Sequence, residues 1–333
     1  MDYYTESMMG QMEIMQKRES ISTLIDSPSI DTELRNQLQY VLAVREFASK
    51  SLGLPDNESY RYYADLQREY AVWNVFATPP LSLESKQWCF PVAGCLSYRG
   101  FFSPEDAARF ADKMDKEGLD VFVGGVSAYS TLGWFADPLL NTMMNRTNVE
   151  IAEIIFHELA HQKLFIRNET GFNEAFAETV ALAGVRHWLQ SHGTADELLQ
   201  YESQKTIEAR FVSMVMQTRN ELEKLYQSDQ DETTKLREKN RLLGNLKRRY
   251  QDQRWEFPGL SRYEDWFSED VNNAKLSAVA TYREYLPGFI ALLHSVDGQF
   301  LPFYQQVEAL SRCDRPKRER ILKDRVTDFY CPD

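Results

Sequence analysis

Over the first fifty residues, apolar positions recur at helical spacing. Leu34, Leu38, Val41, Leu42, Val44 and Phe47 fall on one face, so residues 3–52 predict helix with a break at the Ser27-Pro28 turn. Gly53 and Pro55 then stop it. From Tyr70 to Trp134 the texture changes. Val72, Trp73, Val75 and Phe76 form a short β-prone run closed by Pro79-Pro80, and further runs surround Trp88 to Phe90, Ser97 to Phe102 and Val121 to Val123. A helix-like segment from Pro104 to Glu117, ended by Gly118, lies between the last two. The region reads as a small mixed sheet with a helix packed on it.

Helical patterning returns at Thr147 and runs to Ile166. Thr147 with Glu150 matches a capping box, in which each side chain satisfies a free backbone amide at the helix start. A second helix is predicted from Asn173 to Gln190, stopped near Gly193. From Ala195 to Arg254 the chain is charged and helical, a hairpin turning near Ser228 to Asp231, and the part after Pro258 is mostly helical too. The fold class is therefore α+β. The chain divides into residues 1–194, with the N-terminal helices, the small sheet and the first helix pair, and a mainly helical part with the long charged hairpin in 195–333.

Composition narrows the possible partners. Of the 333 residues, 43% are hydrophobic and 26% charged, as expected of a folded globular chain. A formal net charge of -12 argues against nucleic acid or anionic lipid as a partner. The basic runs Lys247-Arg248-Arg249 and Arg315 to Arg320 are interleaved with acids and polar residues and read as solvated helix faces. No run approaches the roughly 18 apolar residues that a membrane span requires. Met1-Asp2-Tyr3-Tyr4 lacks the basic and apolar regions of a signal peptide. The four cysteines fall into two local pairs, Cys89 with Cys95 and Cys313 with Cys331, which suggests two disulfides and an oxidising compartment. The alternative is four reduced thiols.

The chemistry concentrates in His157-Glu158-Leu159-Ala160-His161. Residues four apart share one helix face, so two imidazoles can hold one zinc ion while the adjacent Glu158 reaches its water as general base. A catalytic zinc needs a third protein ligand and one open position. Phe172-Asn173-Glu174-Ala175-Phe176-Ala177-Glu178 offers two carboxylates one turn apart. Glu174 is the expected ligand and Glu178 the partner that orients a ligand imidazole; the reverse assignment is the alternative. Gly124 to Trp134 reads either as an edge for a substrate backbone or as a turn between strands. For the oxyanion donor, Tyr282 is preferred over Tyr285. His187, His192 and His294 are assigned no role.

The Asn-Glu-x-x-x-Glu segment after HExxH resembles the gluzincins, the zinc peptidases that include thermolysin and the large aminopeptidases. That resemblance implies a zincin-like catalytic part, with Glu174 as third ligand and Glu178 supporting a zinc histidine. The spacing is shorter here, so residues 162–172 must connect the helices differently. Across nearly the whole chain, the segments WCFPVAGCLSYRGFF, GGVSAYSTLGWFADPLL, FHELAHQ, FNEAFAE and NNAKLSAVATYREYLPGF resemble a proteobacterial family labelled predicted aminopeptidase. The family implies a Zn2+ cofactor, a peptide or protein substrate, and a periplasmic protein tethered by a lipid anchor on a removed leader. No acid stands where the large aminopeptidases grip the substrate α-amine, so an endopeptidase is the alternative within the class. A zinc-containing protein-binding or chaperone-like protein, using the charged hairpin, is the alternative outside it.

Overall fold

A computed structural model describes residues 3–90, 94–281 and 283–331. The protein is α+β, 62% helical with small sheets. In chain order it runs α1 (Tyr3–Lys17), β1 (Arg18–Ser20), α2 (Ile21–Asp26), α3 (Thr32–Lys50), β2 (Tyr62–Ala64), β3 (Val72–Thr78), β4 (Trp88–Phe90), β5 (Gly94–Leu96), β6 (Arg99–Phe101), α4 (Pro104–Lys116), β7 (Asp120–Val126) and β8 (Leu139–Leu140). Then follow α5 (Asn148–Lys163), α6 (Thr170–His192), α7 (Ala195–Tyr226), α8 (Glu232–Glu256), α9 (Glu264–Ser268), α10 (Asn273–Thr281), α11 (Leu286–His294), α12 (Phe300–Arg312) and α13 (Arg315–Lys323). Among the described residues, no helix is long and apolar enough to cross a membrane.

The N-terminal segment departs from the helical expectation at β1. Arg18–Ser20 pairs antiparallel with β2, which pairs in parallel with β8. Three polar residues carry no period of their own; the partner strand makes them β. Between residues 70 and 134, the expected single sheet is two: β6-β3-β7, and a separate β4-β5 ribbon closed by the Cys89–Cys95 disulfide. Cys313 and Cys331 are also bonded.

The chain forms two compact units drawn from alternating segments. One comprises Met1–Trp73, Gly125–Gly193 and Glu284–Asp333; the other comprises Asn74–Gly124 and Thr194–Arg283. The sequence reading divides the chain once, at residue 194, and Gly193 is one of several crossings between the units.

In the first unit, α5 and α6 make the most extensive helix–helix contact; α3 packs on α5, and α11 on α6. Phe156, Phe172, Phe176, Phe289 and Phe303 are all fully buried there. Phe176 stacks on Phe303, and Phe172 meets Phe289 edge-on. Gly184 lets α6 come this close: a Cβ there would lie 2.8 Å from Leu52 and 2.9 Å from Phe156.

The second unit is organised by the α7–α8 hairpin. Phe211, Met214, Val215 and Leu222 of α7 and Leu242, Leu243, Leu246 and Tyr250 of α8 share a core with Leu260, Phe267 and Leu276. Its buried Lys239 and Asn273 form one network with Asp120. Lys239 donates to Asp120 at 2.6 Å and to the Pro80 carbonyl at 3.0 Å. The Asn273 backbone N–H donates to Asp120, and its side chain to the Pro80 and Ser82 carbonyls.

Candidate metal centre

Helix α5 starts on the expected capping box. The Thr147 hydroxyl accepts from the Glu150 N–H, and the Glu150 carboxylate accepts from the Thr147 N–H. With the start fixed, helical geometry puts His157, Glu158, His161 and Gln162 in two (i, i+4) pairs on adjoining faces. Residues 164–169 then return the chain to α6. Asn173 braces this connection, accepting from the Ile166 N–H at 2.8 Å and donating to the Ile166 carbonyl at 2.7 Å. Glu169, which precedes α6, accepts from Arg318 at 2.9 Å, and Arg318 also donates to the carbonyl of the disulfide-bonded Cys313. Thus the asparagine of the Asn-Glu pair holds the loop, and the glutamate is delivered to the histidines.

His157, His161 and Glu174 form one cluster capable of holding a metal. The His157 and His161 Nε2 atoms are 3.1 Å apart, His157 Nε2 is 3.2 Å from Glu174 Oε2, and His161 Nε2 is 3.6 Å from the same oxygen. A tetrahedral zinc with N and O ligands at ~2.0–2.1 Å spaces its ligand atoms about 3.3–3.4 Å apart. The triangle matches one face of that tetrahedron and leaves a fourth corner. Such convergence of two imidazole nitrogens and a buried carboxylate suits a divalent cation.

The electrostatics agree. Burial works to lower the His157 pKa, but the Glu174 hydrogen bond and the charges of Glu174, Glu158 and Glu178 outweigh it and push the group up to about 9. Burial works to raise Glu174, yet the two imidazoles bring it down to about 2. The site thus keeps its carboxylate ionised and attracts positive charge. Glu178 Oε2 lies 3.8 Å from His157 Nδ1, on the far side of the ring from the cluster. An imidazole whose Nε2 faces a metal needs an acceptor at its other nitrogen, and Glu178 is placed to serve.

Glu158 sits half-buried next to His157. Its neighbourhood contains groups that the sequence did not single out. Gln162 accepts from Asn57 at 2.7 Å and donates to the Ser59 hydroxyl at 3.2 Å. The Ser59 hydroxyl also accepts from the Asp137 N–H, and the Tyr60 N–H donates to the Asp137 carbonyl at 2.7 Å. Beneath this segment lies the buried Arg45, which donates to the Ser59, Pro55 and Asn57 carbonyls. Asp137 accepts from the Thr131 hydroxyl and N–H. Burial pushes its carboxyl up to about 6 against those hydrogen bonds, and the Glu158 charge adds to the rise. Only the occurrence of Gln162 in FHELAHQ and of Asp137 in the GGVSAYSTLGWFADPLL segment hinted at these positions; Tyr60 had no signal.

Other candidates sit elsewhere. Tyr282 lies outside the described residues. Tyr285 is buried near Glu284, Glu319, Arg315 and Glu169, and burial raises its hydroxyl pKa further than those charges do. His187 packs on Phe47 and Phe300, and His192 stacks on Trp188, as packing histidines do. In the segment from Gly124 to Trp134, β7 is the terminal strand of its sheet, and the Tyr70 ring lies against Gly125 where a Cβ would stand.

A sequence model of the family described as "Putative aminopeptidase" matches residues 2–322. No curated protein and no solved structure matches the chain.

Proposed function

This chain belongs to that family, and from that premise we propose that it is a zinc-dependent peptidase of zincin-like architecture, acting as an aminopeptidase. The observation that carries the reading is the convergence of His157 Nε2, His161 Nε2 and Glu174 Oε2 beside Glu158. His157, His161 and Glu174 would hold the metal, and zinc, when bound, supplies a Lewis acid that polarises a carbonyl and acidifies water. Glu158 takes the proton of the attacking water and hands it to the leaving nitrogen. Glu178 fixes the ring of His157, and Asn173 holds the connection that sets Glu174 against both rings. Tyr282 is the proposed donor to the oxyanion, and the segment from Gly124 to Trp134 the proposed edge for the substrate backbone. Among the described residues three protein donors stand next to the Glu158 carboxylate, which favours catalysis over a structural zinc with four protein ligands.

The two disulfides support an oxidising location, which we take to be the periplasm, with a lipid anchor on a leader as the tether.

Purified protein loaded with zinc should hydrolyse members of a peptide library bearing free N-termini and spare the acetylated set; internal cuts in both sets would make it an endopeptidase. Glu158→Gln should retain one zinc per chain by metal analysis and lose about 10²–10⁴-fold in turnover. Unchanged turnover in that variant removes Glu158 from the reaction.

A further inference from the structure

Tyr60 combines three features that seldom coincide. It is 1% exposed, its hydroxyl has no hydrogen-bond partner among the described residues, and its backbone φ is +63°. A bulky non-glycine residue in the left-handed region is strained, and such strain persists only where surroundings enforce it, most often at functional sites. A buried hydroxyl left without a partner costs free energy that a packed core normally avoids. Replacing Tyr60 by phenylalanine in an ordinary core would remove that cost, so the hydroxyl's presence asks for a partner.

The surroundings point to one. Ser59 and Asn57 are bonded to Gln162, and Gln162 stands one helical turn beyond Glu158 on the same face of α5. The chain continuing from Ser59 therefore brings Tyr60 alongside the turn that carries Glu158. The Tyr60 N–H, held by the Asp137 carbonyl at 2.7 Å, and Arg45, gripping residues 55–59 from below, prevent the segment from relaxing out of its φ. Burial, then the charge of Glu158, then that of Asp137, raise the Tyr60 hydroxyl well above the ordinary tyrosine range, so it stays a proton donor. Glu158 is the half-buried member of the pair, Tyr60 the enclosed one.

We propose that Tyr60 is a positioning residue for Glu158: its hydroxyl is the donor onto which the Glu158 carboxylate turns, holding the base in one orientation. Tyr60 itself is too deeply buried to meet substrate. The inference rests on the peptidase reading for its purpose, but the pairing is measurable without hydrolysis.

The test is a double-mutant cycle on zinc-loaded protein, with zinc content checked in every variant. Tyr60→Phe should lower the melting temperature by roughly 2–4 °C in the wild-type background, the loss expected for one charge-assisted hydrogen bond. In a Glu158→Ala background, where the hydroxyl has lost that partner, the same change should leave the melting temperature unchanged or raise it. An equal loss in both backgrounds, or none in either, overturns the pairing, because packing alone does not depend on residue 158. On the peptide that the wild type cleaves fastest, Tyr60→Phe should cut kcat about 10-fold with KM unchanged; an unchanged kcat beside a positive cycle overturns the positioning role. A wild type that cleaves no peptide defeats the peptidase reading and leaves the cycle to judge the pair.

Discussion

Helix α6 buries every residue from Phe172 to Leu182, including Asn173, Glu174, Glu178 and Thr179. Helix α7 of the other unit, 32 residues against 23, buries Tyr201, Phe211, Met214, Val215, Thr218 and Leu222 and turns the rest of its length toward less enclosed surroundings. Its partner α8 does likewise, with Leu242, Leu243, Leu246 and Tyr250 inside and Lys239 paired to Asp120. In the hairpin, the hydrophobic effect explains the pattern: a stripe of apolar side chains is removed from water, and the buried Lys239 is paired. In α5 and α6 it does not. Two carboxylates and two imidazoles are withdrawn from water together, a costly arrangement unless the groups compensate one another. They do so through close contacts between His157, His161, Glu174 and Glu178. A helix pair with polar groups on its inner face is maintained against stability, and that is where chemistry is to be sought.

This contrast can be broken from either side. The largest effect is expected in the hairpin: Leu246→Ala removes a fully buried side chain and should destabilise the second unit by about 2–5 kcal/mol. Urea unfolding followed alongside a zinc titration would show the loss with zinc affinity intact; weaker zinc binding in that variant would mean that the hairpin serves the metal site.

A somewhat smaller effect is expected at Asp137, whose carboxyl is 1% exposed and raised from 3.8 to about 6. Its folded pKa lies above the unfolded one, so its contribution to stability is fully present below pH about 4 and is lost as the pH rises through 6. Asp137→Asn cannot titrate. The stability of wild type relative to this variant should therefore fall by about 3 kcal/mol between pH 4 and pH 7. A difference that stays flat across that range would show that Asp137 is not protonated in the folded protein.

The smallest is at Glu178. Glu178→Gln keeps the shape but removes the charge facing His157 Nδ1, and zinc binding should weaken by roughly 10–100-fold in competition with a chelating dye. Retained affinity would return Glu178 to the class of ordinary buried acids and make the contrast between the helix pairs a matter of Glu174 alone.

Short-range geometry made much of this molecule legible from its residues. The capping box at Thr147, the stop at Gly193, the hairpin turn between Tyr226 and Glu232 and the Cys89–Cys95 pair all depend on neighbours a few positions away. The shared face of His157 and His161 is equally local, since one helical turn dictates it. The strand at Arg18–Ser20 escaped that reading because its conformation belongs to Tyr62–Ala64, more than forty positions away.

What the sequence determined by itself was the kind of donor available and the face on which α5 presents it. Tertiary structure alone decided that Glu174 meets both imidazole Nε2 atoms while Glu178 lies by the opposite nitrogen of His157. It also decided that Tyr60 and Asp137 share the surroundings of Glu158. The reason is physical: a helix repeats with a set period, so spacing along it is readable, whereas the aim of one helix at another depends on the loop, the braces and the packing between them.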